Sequence, residues 1–72
     1  MMLATVCNFG RFGGGAILAL EHEVGGKRLA VAQSELVIGL VVGDCVEILE
    51  YTIGIDALNV TALRVQPPQT FV

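Results

Sequence analysis

The chain has 72 residues, a formal net charge of −3, 54% hydrophobic residues and only 15% charged ones, and about 25% charged is usual. That length makes one domain with a single small core, so part of the apolar material must lie at the surface, where it marks an interaction site. The acidic balance excludes a long-range attraction to nucleic acid or to anionic membrane, and no apolar run reaches the roughly 18 residues of a membrane span.

MMLATVC carries no basic residue ahead of its apolar stretch, so no secretory leader is expected. Cys7 and Cys45 then read as reduced thiols packed like small hydrophobes in a cytoplasmic protein.

The first strand is expected over Leu3 to Phe9, ending at Gly10. Glycines 13 to 15 lead into AILALEHEV, where Ala16, Leu18, Leu20, His22 and Val24 share one side at period two. Glu21 and Glu23 fall on the other side. Gly25-Gly26 suits a primed hairpin turn, since both residues reach positive φ at little cost. KRLAVAQ follows as a third strand.

SELVIGLVVGD breaks the pattern: Ser34 can cap one helical turn, and Gly39 and Gly43 prevent a longer one. CVEILEYTI reads as a fourth strand, with Val46 and Ile48 on one face and Leu49, Tyr51 and Ile53 on the other. Gly54 to Asp56 turns the chain into ALNVTALRV, and Pro67-Pro68 ends the pairing. Five short strands, a break after the third and almost no helix predict an all-β, five-stranded antiparallel barrel over residues 1–66, with residues 67–72 as a tail. Closure removes edge strands that so apolar a chain would expose.

The chemistry-bearing residues are sparse. The glycines lack the GxxxxGK[ST] of a phosphate loop and do not open a helix as a dinucleotide site requires, so GGG reads as a strand-to-strand turn. In EHE both carboxylates lie opposite the His22 imidazole, and no Cys/His spacing supports a metal site. Glu47 and Glu50 read as solvated rim charges rather than an acid–base pair, and Tyr51 as core or interface. No enzyme, metal, cofactor or small-molecule substrate is indicated.

Several segments resemble the cold-shock domain family. ATVCNF and GGGAI are similar to its GTVKWF and KGFGFI, LAVAQSEL to VFVHxSxI, LVVGDCVEI to LxxGxxVxF and ALNVTAL to AxNVxxL. The resemblance spans residues 4–63 and implies a five-stranded OB barrel. The family stacks bases on aromatics of one sheet face, at about 1–3 kcal/mol per base. Carried over by position, that platform becomes Asn8, Gly14, Ala16, Ala30 and Ala32, with Phe12 in place of a lysine.

What the resemblance then implies is a flat patch of small residues, Gly14, Ala16, Ala30 and Ala32, extended by Leu18 and Leu20. It is expected to serve as a protein interface, in a homo-oligomer or an adaptor, or to be covered by the chain's own loop or its Phe71-Val72 tail. Two other readings stand beside it. One is a weak, salt-sensitive single-stranded RNA or DNA binder using Phe9, Arg11, Phe12, Lys27 and Arg28 at one end of the barrel. The other is an acidic decoy for a nucleic-acid-binding protein.

Overall fold

A computed structural model describes residues 1–10 and 14–67. Five strands follow one another: β1 (Leu3–Phe9), β2 (Ala16–Val24), β3 (Lys27–Ala32), β4 (Cys45–Ile53) and β5 (Leu58–Val65). A single 3-10 turn, Ser34–Leu36, separates β3 from β4. The strands close into a barrel in the order β1-β2-β3-β5-β4, with β4 returning to β1. This is the OB-type architecture. Its pairs are antiparallel except one: β3 and β5 run parallel, with Ala30 opposite Leu58 and Ala32 opposite Val60. Among the described residues no helix is long and apolar enough to cross a membrane.

Local chemistry explains the turns. Gly25 and Gly26 adopt φ of 58° and 79°, as the predicted primed hairpin demands. The Ser34 turn forms, but Gln33 stands at its cap without a side-chain hydrogen bond, so Ser34 is its first residue and not its cap. Two more turns follow, closed by Leu40 N–H to Val37 O (3.1 Å) and Asp44 N–H to Val41 O (3.1 Å). The Asp44 carboxylate also accepts from Val41 N–H at 3.0 Å. Val6 fastens this loop to β1, donating to Asp44 O at 2.9 Å and accepting from Gly43 N–H at 2.8 Å.

The barrel interior is narrow, and the sequence fills it by setting small residues beside large ones. Ala4 pairs with Leu20 and Val46, Leu18 with Ala30, and Ala30 in turn with Leu58. Ala4, Ala16, Leu18, Ala30, Ala32, Val46, Leu58 and Val60 are all buried. Small interiors of this kind are commonly filled by alternating small and large side chains. Each fully buried Leu or Val contributes about 1.5–3 kcal/mol from area alone.

Three ladders are interrupted. Cys7 bulges between the pairs Val6–Leu18 and Asn8–Ile17. Leu49 has no partner between Ile48–Leu63 and Glu50–Ala62. On β2 the residues between Ala19 and Val24 bow away from β3.

At the far end the β2–β3 and β4–β5 hairpins meet. Lys27 Nζ donates to Ile55 O at 2.6 Å, and a Cβ on Gly25 would stand 2.9 Å from Ile53 Cδ1.

Candidate interaction surface

The expected interface is inside out. Ala16, Leu18, Ala30 and Ala32 line the barrel core, with Ala30 at 0% exposure, and of the five expected residues only Gly14 is exposed. Period two grouped them correctly on one side. The side is inward because β1, β2 and β3 are apolar on both faces, so alternation alone carries no sign. Position-by-position transfer from the cold-shock pattern chose the outward sign, and barrel closure selects the other.

The residues between them form the real outer surface. Ile17 stands opposite Val31 on β3 and Asn8 on β1, while Ala19 stands opposite Leu29 and Thr5. Asn59 of β5 continues the row beside Val31. Ile17, Leu29 and Val31 are exposed large hydrophobics. No charged residue interrupts these seven positions, and none is aromatic. Such a face offers dispersion and apolar area to a flat partner but no ring on which a base stacks.

A groove of about 290 Å³ borders this face, lined by Gly15, Val31, Ala32, Gln33, Asn59, Val60 and Thr61. Among the described residues its polar groups are amides, a hydroxyl and backbone, with no nucleophile–base pair. Ile38, Val41 and Val42 are also exposed, on the loop before β4 in which Gly39 and Gly43 adopt positive φ.

The described residues of the nucleic-acid reading do not come together at one end of the barrel. Phe9 pairs with Ala16 at one end of β2, whereas Lys27 pairs with Val24 at the other. Eight residue steps along β2 separate these ends, roughly 25 Å. Arg11 and Phe12 lie outside the described residues. Lys27 is engaged with Ile55 O, Arg28 pairs with Glu23 at 3.4 Å, and Arg64 pairs with Glu47. The described cations are thus dispersed and each meets a carboxylate or carbonyl, so they form no joint positive surface.

No family model, no curated protein and no solved structure matches this chain.

His22, Glu21 and Glu23 are all exposed at the outer end of β2. No group of three His, Cys, Asp or Glu among the described residues is arranged to hold a metal ion. Cys7 and Cys45 are free thiols; Cys45 is half-buried, but Cys7 is exposed, against the expectation of two buried cysteines. Period two explains this, because Cys7 follows Thr5 on the side opposite buried Ala4 and Val6, and its thiol sits 3.6 Å from Thr5 O. The bulge displaces Asn8, which shares the exposed side with Cys7. Glu47 is likewise no freely solvated rim charge: its side chain is 13% exposed and holds Arg64 across the ladder. Alternation along β1 carried the signal for Cys7, which shares a side with Thr5, whereas Glu47 needs the reach of a cross-strand neighbour to be placed.

Proposed function

We propose that this chain is a non-enzymatic, cold-shock-like OB module that works through protein contacts, as a homo-oligomer or an adaptor. The observation carrying the proposal is the continuous uncharged surface of Thr5, Asn8, Ile17, Ala19, Leu29, Val31 and Asn59. Charge depletion at the centre and aliphatic area distinguish an interface core from ordinary surface. The short matched motifs support the cold-shock-like description, and the OB-type strand order is compatible with it. The free thiols suit a reducing compartment, which supports a cytoplasmic location.

The test is sedimentation of the wild-type chain from micromolar to millimolar concentration, beside a Leu29→Lys/Val31→Lys variant. Concentration-dependent assembly that the variant loses while keeping its folded spectrum supports the reading. Tight, salt-sensitive binding of mixed-sequence single-stranded RNA or DNA to the wild type, lost in the variant, overturns it in favour of a nucleic-acid face.

A further inference from the structure

β1 lies between β4 and β2 in the barrel, and it is shorter than both. Its pairing with β2 stops at Ala4–Leu20 and with β4 at Leu3–Glu47, with a last hydrogen bond from Ile48 N–H to Met2 O at 2.8 Å. Because β1 runs antiparallel to both neighbours, β2 beyond Leu20 and β4 beyond Ile48 project past the same end of it. From Leu49 to Ile53, β4 pairs with β5 alone among the described strands, and none of them pairs with its other edge. Across the space left by β1, Glu21, His22 and Glu23 belong to no ladder register on either side.

The side chains over this space are uncovered on the wrong side for a finished barrel. Tyr51 stands opposite Val60 and Ile53 opposite Leu58, and directly opposed residues share a face, so both project to the core side. Val60 and Leu58 are buried there, yet Tyr51 remains 37% exposed and Ile53 58% exposed. Leu20, Met2 and Val24 continue the same apolar floor, packed against the core. A cavity of about 150 Å³ lined by Met1, Met2, Leu3, His22 and Val24 marks where β1 stops, and Ile53 against Gly25 bounds the far end. The rim is acidic: Glu21 and Glu23 on β2, Glu50 on β4, all exposed, with Arg28 balancing only Glu23.

We propose that this gap is a strand-addition site for an extended polypeptide segment of alternating apolar and basic residues. The segment pairs with the open edge of β4 over Leu49–Ile53 and continues the line of β1. Its apolar side chains cover Leu20, Tyr51 and Ile53, and its basic ones face Glu21, Glu23 and Glu50. Main-chain pairing supplies the affinity and the alternating side chains the selectivity, as in other edge-strand recognition. An apolar floor with a rim on which Glu21 and Glu50 have no described ion-pair partner selects this partner over a neutral or acidic strand. The proposal rests on the protein-contact reading but uses a surface separate from the Ile17–Leu29–Val31 face.

The test titrates the full chain, followed by NMR, with a blocked synthetic peptide of alternating valine and lysine and with its valine–glutamate counterpart. The expected result is saturable binding of the lysine peptide, with shifts and amide protection over Glu21–Val24 and Leu49–Ile53, at least about tenfold tighter than the glutamate peptide. A Glu21→Lys/Glu50→Lys variant, both changes being on exposed side chains, should reverse that preference. Equal affinity for the two peptides, or shifts confined to other strands, overturns the proposal. Concentration-dependent protection of the same two segments without peptide also overturns it, because the occupant is then a second copy. The Leu29→Lys/Val31→Lys variant should bind the lysine peptide unchanged, so failure of the outer face and failure of the gap are separate results.

Discussion

Gly15 passes so close to the carbonyl group of Ala32 that its Cα has no room for a side chain: an ideal Cβ would overlap Ala32 O. Gly10 N–H meanwhile donates to Gly15 O at 2.7 Å, closing the β1–β2 connection. The glycine run therefore serves a steric purpose at one of its members, where two backbones cross at the barrel's end.

Gly15→Ala should destabilise the fold by about 1–3 kcal/mol, the usual effect of forcing extra volume into a packed site. Gly26→Ala is the control, because nothing lies within 4 Å of a Cβ there and only its φ of 79° opposes the change. Its cost should be about 1–2 kcal/mol, from left-handed backbone alone. Urea denaturation of both variants measures the difference. Equal losses with relief of Gly15→Ala by trimming nearby side chains would contradict a backbone clash.

Ala30→Glu should unfold the monomer rather than merely alter its assembly. Ala30 is buried between Leu18 and Leu58, and a carboxylate there would lose its hydration without a partner. The expected outcome is collapse of amide dispersion in a proton–nitrogen spectrum. A folded Ala30→Glu chain would mean that this wall of the barrel opens to solvent. Leu18→Ala, removing a fully buried side chain, should cost about 2–5 kcal/mol, a large share of what a domain of this size has.

Glu47 and Arg64 form an ion pair across β4 and β5, with Gln66 Nε2 3.4 Å from the same carboxylate oxygen. Arg64 is well exposed, so solvent screens the pair. Arg64→Ala should therefore lower stability by only about 0.2–1 kcal/mol, and high salt should shrink that difference. Glu47→Ala removes the partner of two donors and should cost more. Thermal melts at low and high salt distinguish the pair from simple packing loss.

The two thiols should react in order. Cys7 is exposed in its bulge and Cys45 is half-buried beneath the Gln66 N–H to Cys45 O hydrogen bond of 3.0 Å. Iodoacetamide should modify Cys7 first, with Cys45 following at a rate that rises on addition of denaturant. Mass spectrometry of timed digests reads the order, and equal rates in the native state would show that β4 opens at this end.

The sequence by itself determined where the strands lie. Glycine and proline punctuation isolates five apolar runs, and the run from Leu3 to Phe9 and the runs AILALEHEV and CVEILEYTI are strands over those same residues. Within unbroken ladders period two also determined which residues share a side, as Ala16, Leu18 and Leu20 do. The slip after Ile48 instead brings Tyr51 and Ile53 to the side of Val46 and Ile48, against the expectation of opposite faces. The glycine pair determined the hairpin at Gly25-Gly26. These are local properties of backbone sterics and pleat, legible without neighbours.

The tertiary structure decided which side is inside. In β3, Leu29, Ala30, Val31 and Ala32 are all apolar, so burying either face is compatible with the pattern, and only the width of a closed five-strand barrel selects the alanines. It also decided what long-range register controls: the parallel β3–β5 pair, the outward turn of Asn8 past the Cys7 bulge, the Glu47–Arg64 contact and the space beyond β1 that no described strand fills. Each depends on where one strand stops relative to another far along the chain, and no periodicity within a strand encodes that.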